Sequence, residues 1–401
     1  MHPPLDLLPV PFELGVNYWP RRRAMYMWRE HDLGEVREEM AQIAGMGFDV
    51  VRLFALTRDF LPEPARVDGT MVDRLVEVCR AASEAGLRVV PTYVVLNMSG
   101  RIWWPDWMLD AHGAPRDLYD DPVLLDSQAL LAQTCTRALA GSTAIRAFDL
   151  ANEIDDAQRP SSRGAAVRWA STLAAVIRGQ APGIPIQIGA HLPSLSASND
   201  MRVDDLAAIA DEDVMHAYPL YSTVARGFLD PELVPFSCAL TTELAGRGRP
   251  TLMQEFGLCT APPGSNGSTI TDDFLGTPRR QYLASEEEAA LYYGEVLARL
   301  VRTGAAGAYA WCYADYDSRL FHRPPFDTAV RERSFGLVRS DGTEKPAAAV
   351  FRDLRERRDK GTLGTRASAP ALLDVSADEY YRDPETNFER LYARWIARGG
   401  A

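Results

Sequence analysis

The chain lacks the patterns that would place it in several common functional classes. Its five cysteines, Cys79, Cys135, Cys238, Cys259 and Cys312, are scattered and form no CxxC pair. That excludes a disulfide framework and a structural zinc site and leaves thiols acting as small hydrophobes. Histidines are few, six in 401 residues, and His191 and His216 stand at neither HxxxH nor HxH spacing. No metal site and no cofactor are expected. There is no long basic run and the net charge is -12, which makes nucleic acid and anionic membranes poor partners. No apolar run approaches the roughly 18 residues of a membrane span. The opening MHPPLDLLPVPFELG has neither a positive leader nor an apolar core of the signal-peptide kind, so a cytoplasmic protein is expected.

What remains is 46% hydrophobic and 24% charged, the composition of an ordinary globular core and surface. Short β-like runs alternate with amphipathic helical stretches. FELGVNY (12–18) is followed by DLGEVREEMAQIAGMG (32–47), with Asp32 in the N-cap position and Leu33, Val36, Met40, Ile43 and Ala44 on one face. DVVRLF (49–54) precedes a helix over 71–86 ending at Gly86. Further strands are expected at 87–95, 145–152, 185–191, 213–221, 250–257 and 307–315, each with a helix or long loop after it. Eight such units imply a parallel sheet closed as a (β/α)8 TIM barrel. An open doubly wound sheet fits less well, since no Gly-rich phosphate loop follows the first strand. The expectation is a single barrel domain over 1–360 with long βα loops. Residues 361–401 form a C-terminal extension whose helix docks on the barrel.

In such a barrel the C-terminal strand ends face the active site. Those ends carry Asn17-Tyr18-Trp19, Arg52, Asn152-Glu153, His216 with Tyr218, Gln254-Glu255-Phe256, and Trp311. A lone Glu at a strand end is usually a solvated turn residue. Two acids on the fourth and seventh strands, among amides, aromatics and an arginine, form the carboxyl pair that glycoside hydrolysis needs. Trp103-Trp104-Trp107 (WWPDW) is either a loop anchor or a sugar-stacking wall.

The NE after strand four, HAYPLY of strand six, QEFG of strand seven and the Trp of strand eight resemble the clan A glycoside hydrolases, most nearly the family 5 cellulase, β-mannanase and β-mannosidase type. The similarity spans roughly 12–355. It implies that Glu153 is the acid/base and Glu255 the nucleophile of a retaining reaction. It also implies that Asn152 contacts the 2-hydroxyl, that Arg52 and Tyr218 hold Glu255, that His216 orients the acid/base region, and that Trp311 floors the −1 subsite. Tyr18 and Trp104 complete the expected substrate-binding set. One departure is visible: family 5 enzymes usually carry a His near the end of strand three, where this chain reads TYVVLNMSG.

Arg52 beside Glu255 is expected to lower the pKa of that carboxyl. Loops at 97–120, 257–284 and 315–335 are expected to close the cleft into a pocket. The stretch 311–348 looks like the corresponding loop of exo-acting β-glycosidases. The substrate expected is a β-mannoside or short β-1,4-linked manno-oligosaccharide, with β-galactosides and β-glucosides as runners-up. Two competing classes are a non-catalytic glycan-binding barrel, which does not need both acids, and a metal-dependent hydrolase, which needs a ligand cluster.

Overall fold

A computed structural model describes residues 12–274, 276–364 and 371–401. Most of the opening stretch on which the leader reading rests, residues 1–11, and residues 365–370 of the C-terminal extension lie outside the described residues. Eight parallel strands carry the fold: β1 (Glu13–Asn17), β2 (Val50–Leu56), β3 (Arg88–Val95), β4 (Phe148–Asn152), β5 (Ile186–Gly189), β6 (Val214–His216), β7 (Leu252–Phe256) and β8 (Gly307–Ala310). They pair in the order β5-β4-β3-β2-β1-β8-β7-β6. The ring closes between β5 and β6 through a parallel His191–His216 bridge and a bond from the His216 N–H to the Ala190 carbonyl at 2.9 Å. This is the (β/α)8 barrel expected from the alternation.

Helices form where caps and periodicity coincide. Asp32 accepts bonds from the Gly34 and Glu35 amides, and Val36, Met40 and Ile43 are buried. Gly86 takes the left-handed conformation (φ +81°) that ends the second long helix. Ser285 and Glu288 form a capping box ahead of Glu286–Thr303. All five cysteines are free and buried. No helix of the described residues is long and apolar enough to cross a membrane.

Three expected elements differ. The eighth strand, expected to run to 315, ends at Ala310. The sixth strand stops at His216 and gives way to a 3-10 turn at Pro219–Tyr221, because proline fixes φ and offers no ladder donor. The expected loop at 257–284 contains an antiparallel hairpin, Ser268–Phe274 with Thr277–Leu283.

The barrel interior is layered. Val50, Val90, Ala147, Val214, Leu252 and Tyr309 fill the lower end. Above them lies a buried polar layer of Asn17, Arg52, Thr92, Asp149, Gln187 and Gln254, and the site is built on this layer. The C-terminal helix Pro384–Ala397 is docked: Phe388 and Tyr392 pack on Phe236 with ring centroids 5.3 and 5.0 Å away. Trp395 Nε1 donates to Glu232 at 2.8 Å.

Candidate active site

Glu153 follows β4 at φ +42° and ψ +49°, a left-handed conformation that a non-glycine residue adopts at a cost of about 1–3 kcal/mol. The chain turns out of the strand there, and the carboxyl lines the pocket. β4 approaches β5 so closely that a Cβ on Gly189 would stand 2.5 Å from the Ala151 carbonyl oxygen. Glu255 comes from β7, and the glycine after it is needed too: a Cβ on Gly257 would sit 2.1 Å from the Trp311 carbonyl oxygen.

Arg52 holds the two halves together from β2. Its Nη1 pairs closely with Glu255 and bonds the Asn17 Oδ1 at 3.2 Å. Its Nη2 donates to Asp149 Oδ2 at 2.8 Å and Asn152 Oδ1 at 3.0 Å, and its Nε to Thr92 Oγ1 at 3.0 Å. Arg52 and Asp149 are wholly buried. The Tyr218 hydroxyl donates to the second Glu255 oxygen at 2.9 Å.

His216 joins the acids. The Gln254 amide nitrogen donates to Gln187 Oε1 at 2.7 Å, which turns the Gln254 oxygen toward His216 Nε2 at 3.0 Å. Nε2 therefore carries a hydrogen. His216 Nδ1 lies 2.9 Å from Glu153 Oε1 and 3.7 Å from Glu255 Oε1. One proton serves the Nδ1–Glu153 contact, on the imidazole or on the carboxyl.

Burial pushes Glu153 up, but the His216 hydrogen bond and the charges of His191, His216 and Arg52 outweigh it and hold this carboxyl at about 2. For Glu255 burial wins: its pKa is raised despite the opposing charges of His216 and Arg52, and the Glu153 charge adds to the rise. Arg52 thus lowers Glu255 as expected, but burial outweighs it. The guanidinium is shared with Asp149, Asn17 and Asn152, and the carboxyl it faces is 4% exposed.

The structure brings Glu153, Glu255, Asn152, His216, Tyr218 and Trp311 to one pocket, with Arg52 directly behind it. Asn152 is committed at both ends, accepting from Arg52 and donating to the Asn97 carbonyl at 3.1 Å. Tyr18 is not brought there. It is fully buried, and its hydroxyl donates to Glu39 Oε2 at 2.7 Å. Strand alternation sends Asn17 into the barrel and Tyr18 out toward the helices. Trp104 packs half-buried against the core and does not line the pocket. Its neighbour Trp103 is an anchor, with Arg58 4.2 Å and Arg101 5.3 Å from its ring. Tyr18→Phe should leave kcat/KM within about twofold yet lower stability by about 1–3 kcal/mol, since Glu39 loses a buried donor. Parallel kinetics and thermal melts check this, and a large KM rise would contradict it.

Several site residues carry no role in the sequence reading. Asn97 stands after β3, near where family 5 usually has its His. Its Nδ2 donates to Glu153 Oε2 at 3.2 Å and Asp156 Oδ2 at 3.1 Å. His191 Nε2 bonds Asp155 Oδ2 at 2.9 Å, and Asn199 donates to the same oxygen at 2.6 Å. The available signals were an acid within the apolar run FDL and three acids in NEIDD.

Two groups of ligand-type atoms lie within 4.8 Å of one another: Glu153, Asp156 and His191, and Glu153, His216 and Glu255. In both groups a histidine nitrogen already faces a carboxylate, and Arg52 lies against Glu255. The local charges are met by protein groups.

The pocket encloses about 370 Å³. Its outer wall includes Arg279 of the hairpin and Glu385, Phe388 and Glu389 of the C-terminal helix.

No protein-family model and no curated protein sequence matches the chain. Solved structures do. GH5_18 from Streptomyces cattleya in complex with GlcNAc superimposes with a TM-score of 0.83 at 23% identity, covering 97% of this chain and 92% of that one. A GH5_18 variant from the same organism in complex with Manβ1-4GlcNAc gives 0.81 at 22%, covering 97% and 92%. The exo-β-1,4-mannosidase Op5Man5 from Opitutaceae bacterium strain TAV5 gives 0.73 at 26%, covering 88% of this chain and 60% of that one. These likenesses bear out the resemblance drawn from the motifs: the chain has the fold of the clan A, family 5-type O-glycoside hydrolases, with a carboxyl pair at the strand ends where such enzymes are expected to carry it.

Proposed function

We propose that the chain is an exo-acting, retaining β-mannosidase that removes a terminal mannosyl unit from a short β-linked oligosaccharide. One observation carries the reading: a carboxylate oxygen of Glu153 and one of Glu255 lie within 4.8 Å of each other in a single pocket. That supports retention, for which carboxyl groups stand roughly 5–5.5 Å apart, over inversion at roughly 6.5–9.5 Å. The wall formed by the C-terminal helix and the hairpin supports exo action, because a polymer does not pass through a pocket. The mannosyl preference rests on the neighbours, an exo-β-1,4-mannosidase and a complex with Manβ1-4GlcNAc.

In the reaction Glu255 attacks the anomeric carbon and Glu153 gives its proton to the departing oxygen. Arg52 and Tyr218 hold the attacking carboxylate in place. His216 Nδ1, 2.9 Å from Glu153 Oε1, orients this carboxyl toward the departing oxygen. Once Glu255 is esterified its charge is gone. Glu153, now ionised, takes a proton from water, and the water oxygen attacks the anomeric carbon to release the sugar. Asn152, whose Nδ2 keeps a second hydrogen beside the one given to the Asn97 carbonyl, meets the 2-hydroxyl, and Trp311 floors the pocket by stacking.

A panel of nitrophenyl glycosides tests this reading. The β-mannoside should be cleaved fastest. Cleavage of only the β-galactoside or β-glucoside would remove the mannose preference, and no cleavage of any would favour a binding barrel.

The two carboxyls titrate as a pair. The working form holds one proton between them. The lower step is held at about 2 by the hydrogen bond to Glu153, and the upper step is raised by the burial of Glu255. Activity should therefore persist as pH falls through the ordinary glutamate value of 4.5 and decline as pH rises through the upper step. A kcat/KM profile checks the sign, and an acid limb centred near 4.5 would contradict it.

A further inference from the structure

Beside the acid pair stands a third carboxyl that the reaction above does not use. Asp156 follows Glu153 by one turn of the short helix Ile154–Ala157 and lines the same pocket. The Asn97 side-chain amide reaches both carboxyls, Glu153 Oε2 at 3.2 Å and Asp156 Oδ2 at 3.1 Å. His191 Nδ1 is placed almost evenly, 3.9 Å from Glu153 Oε1 and 3.8 Å from Asp156 Oδ2. Its other nitrogen is tied to Asp155. The site thus sets a negative group and a positive group beside the same carboxyl, and each leaves the reacting atoms alone.

We propose that Asp156 and His191 are positioning residues that set the proton affinity of Glu153 with opposite signs, Asp156 keeping the proton on the acid/base and His191 drawing it off. This rests on the reading of Glu153 as the acid/base.

The electrostatics follow from like and unlike charges at close range. An ionised Asp156 disfavours a second negative charge on Glu153, so it favours the protonated acid that the first step needs. The His191 imidazolium favours the ionised base that the second step needs. The other groups facing Glu153 are His216, Arg52, Glu255 and Tyr218. Asp156 itself faces His191, Glu153, Asp155 and Arg159, and burial followed by the acid neighbours raises it to about 7. Asp156 therefore gains its charge over the same interval in which the acid/base must keep its proton. His191 remains charged there, since Asp155 and Asp156 raise it well above the usual histidine value against the effect of burial.

The test uses the full-length protein and the methyl and dinitrophenyl β-glycosides of whichever sugar the panel selects. A methoxide leaving group needs protonation and a dinitrophenolate does not. Glu153→Ala is the control. It should lose the methyl glycoside and keep kcat/KM on the dinitrophenyl glycoside, and if it cleaves both like the wild type, the acid/base reading itself fails. Given that control, Asp156→Asn should move the alkaline limb of kcat/KM on the methyl glycoside down by about one pH unit, and His191→Gln should move it up. The dinitrophenyl glycoside should be cleaved within about twofold of wild type by Asp156→Asn, and Asp156→Glu should restore the limb. Should His191→Gln fail to fold, the two Asp156 variants decide alone. An alkaline limb in Asp156→Asn that overlays the wild type or moves upward overturns the proposal. So does an equal loss on both substrates at every pH.

Discussion

Glu255→Ala should lower kcat on every glycoside by about 10⁴- to 10⁶-fold while the protein stays folded. The magnitude is that of removing the nucleophile from a unit whose members act together. The folding half of the prediction comes from the charge balance behind the site. Arg52 keeps Asp149 as a buried counter-ion at 2.8 Å and keeps its bonds to Asn17, Asn152 and Thr92 when Glu255 is gone. Tyr218 loses one acceptor at the edge of the pocket. Kinetics with thermal melts separate the two halves. A variant retaining more than about a hundredth of wild-type turnover would remove Glu255 from the role of nucleophile.

Arg52→Leu should instead cost the fold about 3–5 kcal/mol, with a thermal midpoint lower by roughly 5 °C. Arg52 is wholly buried, and all three of its guanidinium nitrogens are engaged. Leucine fills much of the volume but leaves Asp149, which is also wholly buried, without its counter-ion. Thr92 Oγ1 still donates to Asp149 at 2.8 Å, which limits the loss without removing it. Arg52→Lys should fall between, since it restores one charge but not the fork that spans β1, β4 and β7. A leucine variant as stable as the wild type would show that the polar layer is not held by this arginine.

The elements that were legible in the sequence are those set by local pattern. The eight strands and the capped helices follow from apolar period, Asp and Ser at N-caps and Gly at C-caps, all within one turn of chain. The acid pair was legible because an Asn-Glu and a Gln-Glu each end an apolar run, where burial without a partner is too costly for a solvated explanation to hold twice. Arg52 was matched to Glu255 on the same ground. Asp149, in the run FDL, offered the same signal but could not be paired without the register that sets Thr92 opposite it across β3 and β4. Tyr18 was read as part of a strand end, although period two separates it from Asn17. Asn97 and His191 come from the exits of β3 and β5, and only the pairing of those strands with β4 brings them within or near hydrogen-bond reach of Glu153. The hairpin at 268–283 pairs only with itself, as a two-stranded sheet apart from the barrel sheet, and no apolar alternation marked it.

The stereochemistry of the first-formed sugar tests the central claim most directly. Proton NMR during the first turnovers of a β-glycoside should show the β-anomer appearing first, with the α-anomer growing only by mutarotation. Glu255 then forms a covalent glycosyl ester and Glu153 acts first as acid and then as base. A first-formed α-anomer would mean direct attack by water, and Glu255 would not be the nucleophile.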